Sequence, residues 1–172
     1  MGFSCKFNGS TSKVDTQSTF GGLTGAITIL AWIKPYSFGE VDGRILGNGG
    51  SAVNFLLKTS DSNVFLRRGG AGSAVSANNS IILNKHTFVV ATSTSAGVTN
   101  FYMGDKDTAP VLSGSVDQDA GTPESGSTNV IIGNIDDQSR TFDGTINKLS
   151  VVEGILTLAQ ITQYWSSSRK EI

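Results

Sequence analysis

The stretch Val130–Val152, VIIGNIDDQSRTFDGTINKLSVV, decides the fold. Val130–Ile132 is β-branched, and Thr145–Val152 alternates, with Leu149 and Val151 on one face and Lys148 and Ser150 on the other. A period of two predicts a half-buried strand, because successive side chains point to opposite faces. Between them Gly133, Asn134, Asp136, Asp137, Ser139 and Asp143-Gly144 supply turn chemistry: glycine tolerates positive φ, and Asn or Asp side chains bond their own backbone. The segment reads as two strands joined by a polar loop with an Asp-Gly turn. Directly afterwards, in Leu156–Trp165, Leu158, Ile161, Tyr164 and Trp165 recur at three- and four-residue steps behind Thr157 as cap. That change of period predicts one short amphipathic helix closing a β chain.

The rest of the chain extends this pattern. Ser4–Phe7 reads as a strand with Phe3, Cys5 and Phe7 on one face, followed by a second short strand at Lys13–Asp15 and a loop at Gly21–Gly25. Ala26–Lys34 is the clearest strand. Ile27, Ile29, Ala31 and Ile33 face one way and Leu30 and Trp32 the other, so both faces are apolar and the strand belongs at the centre of a sandwich. Pro35 ends it. Arg44–Gly47, Ala52–Lys58, Asn63–Arg68, Ser80–Leu83, Thr87–Thr92 and Asn100–Met103 read as further strands, and Gly114–Glu124 as an exposed loop. The glycine clusters at Gly47–Gly50 and Arg68–Gly72 lack the Lys-Ser/Thr ending and following helix of a phosphate cradle, so they read as hairpin turns.

Roughly a dozen short strands with frequent turn signals and no fixed-period repeat describe an all-β fold. The expected architecture is an antiparallel two-sheet β-sandwich, or jelly roll, with one short C-terminal helix. At 172 residues the chain suits one domain, residues 1–172. With 38% hydrophobic and only 16% charged residues it has too much apolar content for disorder.

Composition also narrows function. Net charge is −1, and the only adjacent cations are Arg67-Arg68 and Arg169-Lys170, so the basic stripe that a phosphate backbone requires is missing. Nucleic acid is excluded as the expected partner. Cys5 is alone, which rules out an internal disulfide and leaves either a small apolar filler, the usual role of such a cysteine, or an intermolecular bridge in an oxidising compartment. The opening MGFSCKFNGS has no basic or apolar region of a signal peptide, and Lys6 stands where a myristoylation motif at Gly2 wants Ser or Thr. The longest apolar run, Ala26–Ile33, is far short of a membrane span, so membrane insertion is not expected. The implied localisation is cytoplasmic synthesis with a virion or extracellular destination left open.

Catalytic constellations are scarce. His86 is the only histidine, so a zinc site built on a histidine cluster cannot form within one chain. No Gly-x-Ser-x-Gly elbow precedes a helix, and Gly114-Ser115 and Gly126-Ser127 read as turns. His86 reads as the start of a strand, donating a hydrogen bond at the surface. Trp32 and Trp165 read as core or helix packing.

FNGSTSKVD (Phe7–Asp15), LTGAITILAWIKP (Leu23–Pro35), GRILGNGG (Gly43–Gly50), HTFVVATSTSAGVTNFYMGD (His86–Asp105) and IIGNIDDQSRTFDGTINKLSVVEGILTLAQITQYW (Ile131–Trp165) occur in order. Together they resemble the laminin-G-like branch of the concanavalin A-like lectin/glucanase superfamily over nearly the whole chain. The resemblance implies a jelly roll used for glycan binding, adhesion or protein–protein contact, often with calcium at a loop rim. The chain departs from that branch at His86, where tryptophan is common, at Asn147-Lys148, where an acidic pair is common, and at Ser95-Ala96, where Asp-Gly is common. Calcium takes several oxygen ligands, usually including carboxylates, so these departures bear directly on any such site. The superfamily's glucanases carry Glu-x-Asp-x-x-Glu, two carboxylates flanking the scissile bond. Here Glu40-Val41-Asp42-Gly43-Arg44-Ile45 puts Ile45 in place of the last glutamate, so no enzyme activity is expected.

The candidate ligand-binding residues are therefore Asp136, Asp137, Arg140 and Asp143 in the loop between the last two strands, and Tyr36 and Phe38 after the central one. Carboxylates accept sugar hydroxyls or hold calcium, Arg140 offers a planar fork, and an exposed aromatic offers a stacking platform. The alternative for the carboxylates is ordinary turn chemistry, and for the aromatics a plug at the end of the sandwich. The expected role is a non-catalytic module binding carbohydrate or a protein surface, with homo-oligomers or arrays adding strength to weak sites. A structural or decoration protein of a virion or other large assembly is the alternative, and a glycoside hydrolase a more distant one.

Overall fold

The computed structural model describes residues 4–19, 23–48, 53–69, 72–124 and 128–172. Readings placed on Gly2, Phe3, Gly21, Gly22, Gly49, Gly50, Ala52, Gly70, Ala71, Gly126 and Ser127 lie outside the described residues. The strands are β1 (Ser4–Asn8), β2 (Val14–Asp15), β3 (Ile27–Pro35), β4 (Arg44–Gly47), β5 (Asn54–Lys58), β6 (Asn63–Arg67) and β7 (Ala74–Val75). Then come β8 (Thr87–Ser93), β9 (Val98–Gly104), β10 (Val111–Leu112), β11 (Gln118–Asp119), β12 (Ile131–Ile132) and β13 (Asp143–Glu153), followed by α1 (Leu158–Ser168). They form a seven-stranded antiparallel sheet, ordered β1-β13-β3-β8-β9-β10 with β11 also on β9, and a six-stranded one, ordered β2-β12-β4-β5-β6-β7. Two antiparallel sheets face each other as a sandwich.

The double apolar face of β3 explains its central place. Ile27, Ile29, Ala31 and Ile33 meet Phe55, Leu57, Val64 and Leu66 between the sheets. On the reverse face, Leu30 and Trp32 join Phe88 and Val90 under Ile161 and Trp165 of α1. Helix α1 starts as a capping box: Thr157 Oγ1 accepts from Gln160 N at 3.3 Å, and the Gln160 side chain accepts from Thr157 N at 2.9 Å. The Trp32 indole donates to Ser168 Oγ at 2.8 Å and the Trp165 indole to the Asp105 carbonyl at 2.7 Å, so both buried ring nitrogens are satisfied.

β12 and β13, joined by the polar loop, lie in different sheets, so the loop 133–142 crosses one end of the sandwich. Asp143-Gly144 is not a turn but the start of β13; Gly144 has φ +140°, and a Cβ there would meet the Lys34 carbonyl at 2.2 Å. The alternation of β13 is broken once, by a bulge between Asn147 and Ser150 with Lys148 at φ +50°. Leu149 and Val151 still pack on the inter-sheet core, and Ser150 meets Tyr164 of α1.

Several expectations need correction. Ser80–Leu83 is not a strand; Ile81 is buried but Ile82 is 56% exposed, and the run bonds the turn at Ser62 rather than a ladder. The 114–124 segment is not simply an exposed loop, because Gln118–Asp119 pairs with β9 and Ala120 is buried. Cys5 is exposed rather than a filler, although Phe7 on the same edge strand β1 is buried. No helix among the described residues is long and apolar enough to cross a membrane.

Candidate functional site

Alternation within β5 and β6 builds the site. Phe55, Leu57, Val64 and Leu66 point into the core, which turns Asn54, Leu56, Lys58, Phe65 and Arg67 to the outer face of the six-stranded sheet. Register places Asn54 opposite Arg67, Leu56 opposite Phe65, and Arg44 of β4 opposite Leu56. With Asp42 and Arg140 these residues line a groove of about 170 Å³. Leu56 is only 4% exposed although neither core cluster includes it, because the flanking long side chains stand around it.

Arg140 reaches the groove from the 133–142 loop, which is organised from within. The buried Asn134 donates to Thr141 Oγ1 at 2.7 Å and accepts from Ile135 N at 2.8 Å and Arg140 N at 3.2 Å. Arg44 N donates to the Arg140 carbonyl at 2.9 Å, sewing the loop to β4, and Arg140 Nη1 donates to the Val41 carbonyl at 3.2 Å. The groove is cationic. Burial, and then the neighbouring Arg140, lower the pKa of Arg44 to about 10, opposed by Asp42, and the buried Arg44 Nε has no hydrogen-bond partner. Lys58 is paired with Asp61 at 2.7 Å, while Asp42 accepts from Thr59 N at 3.0 Å.

The residues singled out from the sequence do not come together. Asp136 binds Lys13 at 3.0 Å, and Asp137 accepts from Ser139 N and Oγ at 3.0 and 2.7 Å, which holds its carboxyl below the usual range. Asp143 sits opposite Asn8 at the edge of the seven-stranded sheet. Phe38 packs against the inter-sheet core, whereas Tyr36 is 36% exposed beside the other sheet. Only Arg140 of the six lines the groove. Among the described residues no three His, Cys, Asp or Glu side chains gather as a metal site. Asp136 and Asp137 each already give one carboxylate oxygen to a protein donor.

Arg44, Lys58, Phe65 and Arg67 do not stand out in the sequence, because they are scattered over three strands, β4, β5 and β6, and meet only through their register. The signal was present in the alternation of NFLLK and NVFLR, read outward instead of inward. Arg67-Arg68 shows the same effect. Arg67 lines the groove, while Arg68 is fully buried. There its guanidinium donates to the Ser93, Thr94 and Gly25 carbonyls at 3.2, 2.8 and 2.6 Å, and to the Leu23 carbonyl.

A family model described as the concanavalin A-like lectin/glucanases superfamily matches residues 8–162. No curated protein sequence matches the chain. Among solved structures, the CBM40 of the Ruminococcus gnavus IT-sialidase bound to alpha2,3 sialyllactose has a TM-score of 0.68 at 14% identity, covering 94% of this chain and 97% of that one. The native heptameric SAP-like pentraxin from Limulus polyphemus gives 0.60 at 15%, covering 96% and 76%. Trypanosoma rangeli sialidase in complex with 2,3-difluorosialic acid gives 0.60 at 15%, covering 96% of this chain but 27% of that one. At these identities the likeness is one of fold.

Proposed function

This chain belongs to the concanavalin A-like lectin/glucanases superfamily, and we propose that it is a non-catalytic glycan-binding module whose ligand lies in the groove on the outer face of the six-stranded sheet. The carrying observation is the groove itself: Arg44, Lys58, Arg67 and Arg140 surround Leu56 and Phe65, with Asp42 as the one acidic lining residue. Arginine forks suit a carboxylate or sulfate, and the apolar floor suits the C–H face of a sugar ring, so acidic glycans are the preferred class. Hydrolysis by a carboxyl pair needs two such groups flanking the bond, and the groove offers one. The CBM40 neighbour, solved with a sialylated sugar, supports the ligand class. A shallow site of this size gains strength by multivalency.

The test is a glycan array with acidic and neutral ligands, run with calcium and with chelator, on wild type and Arg140→Ala. Acidic glycans should bind in both conditions, more weakly as salt rises, and about tenfold more weakly in Arg140→Ala. Loss of binding in chelator would return the rim carboxylates to the centre. A blank array with folded protein would sink the reading, and self-association or co-purification with shell proteins would then favour the assembly role.

A further inference from the structure

The outer face of the seven-stranded sheet continues past the edge of α1 into a second cleft. Register brings Lys6, Thr145 and Lys34 into one row across β1, β13 and β3, and Ser4, Asn147 and Trp32 into the next. Helix α1 covers Trp32 and Phe88 but not the row beyond them. There Ser4, Lys34, Tyr36, His86, Thr145, Asn147 and Lys148 line a cleft of about 270 Å³, closed on one side by Glu171 and Ile172.

Its floor holds polar atoms without partners. Asn147 is 7% exposed, and its Oδ1 is buried with no hydrogen-bond partner, as is His86 Nδ1. A buried acceptor left unmade costs stability that a donor entering the cleft would offset. Around this floor the field is positive. The ammonium groups of Lys6 and Lys34 lie 5.9 and 6.0 Å from the Tyr36 ring centroid. The cleft's one carboxylate side chain, Glu171, is held by Lys148 at 2.6 Å. Burial and then Lys34 and Lys106 hold the His86 pKa below its usual value, keeping the imidazole neutral at physiological pH.

We propose that this cleft is a second binding site, for a hydroxylated carboxylate of the uronic acid class. A ligand hydroxyl donates to Asn147 Oδ1, the carboxylate lies between Lys6 and Lys34, and the sugar's C–H face rests on Tyr36. The ligand class rests on the glycan-binding reading above, but the residues do not overlap those of the groove. The two sites sit on opposite faces of the sandwich, so one copy of the module bridges two acidic chains.

The experiment is a titration of isotopically labelled protein with glucuronate, with glucose as neutral control, following amide shifts at Lys34, His86 and Thr145 and at Leu56 and Phe65. Both sets should move with glucuronate. Arg140→Ala should weaken the groove set and spare the cleft set, and Lys34→Ala or Tyr36→Ala should do the reverse, each by about fivefold or more. Silent cleft amides beside moving groove amides would overturn the second site and leave the groove. The opposite pattern would sink the groove and keep the cleft, and silence at both in a well-dispersed spectrum would overturn both. Equal movement with glucose would overturn the acidic class.

Discussion

The two sheets use their outer faces in opposite ways. On the seven-stranded sheet, Leu30, Trp32, Phe88 and Val90 are apolar and sealed by Ile161 and Trp165 of α1. On the six-stranded sheet, Arg44, Lys58, Phe65 and Arg67 stand in a groove that no helix among the described residues covers. Both are built by the same period of two, so the difference lies only in which residues occupy the outward positions. Outward apolar groups recruit a helix; outward cations and one aromatic leave a face for a ligand. Substitutions beneath α1 should therefore cost stability, and those in the open groove should cost binding.

The largest effect falls on the sealed face. Trp32→Ala removes a fully buried indole and its bond to Ser168, and should cost about 3–5 kcal/mol in urea unfolding. A loss under about 1 kcal/mol would mean that α1 is not a working lid. Next comes the arginine turned inward. Arg68→Met leaves several carbonyls without their donor and should cost about 3 kcal/mol. Phe65→Ala, on the open face, should change stability by less than about 1 kcal/mol yet weaken acidic-glycan binding about tenfold, measured by calorimetry. Were Phe65→Ala as destabilising as Trp32→Ala, the two faces would not differ in kind.

The sequence shows the sealed face far better than the open one. Ile29 and Trp32 sit on opposite sides of one strand, and a run apolar on both faces demands cover on both sides; Thr157 and Gln160 then mark where that cover begins. Short-range chemistry carries all of this. The groove is different: Arg44, Leu56 and Phe65 are neighbours only through β4-β5-β6 register. Asn147 and His86 likewise share a cleft only because β13, β3 and β8 lie side by side. The Asp-rich loop is conspicuous because its residues are adjacent in sequence, yet Asp136 and Asp137 each give a carboxylate oxygen, to Lys13 and Ser139 respectively. Isolated pairs such as β10 and β11 are two residues long, too short for any period to register.

The smallest effect lies at the seam where the sealed face is fastened. The Asp105 carbonyl accepts the Trp165 indole at 2.7 Å, and its carboxylate fixes that turn by accepting from Asp107 N and Thr108 N at 2.9 and 2.7 Å. Lys85 adds an ion pair at 2.7 Å. Lys85 first, then the two backbone donors, hold the Asp105 carboxyl well below the usual carboxylate range. A carboxyl depressed in the folded state contributes stability above its unfolded pKa, near about 4, and loses it only as pH falls through the lower folded value. Asp105→Asn should therefore lower Tm by about 2–4 °C at neutral pH, the scale of a 1 kcal/mol turn contribution in a chain of this length. The gap from wild type should persist at about pH 4 and close only in stronger acid. Thermal unfolding of both proteins across that range checks it, and a gap that closed above pH 4 would mean that the turn, and with it the seat of Trp165, does not depend on this carboxylate.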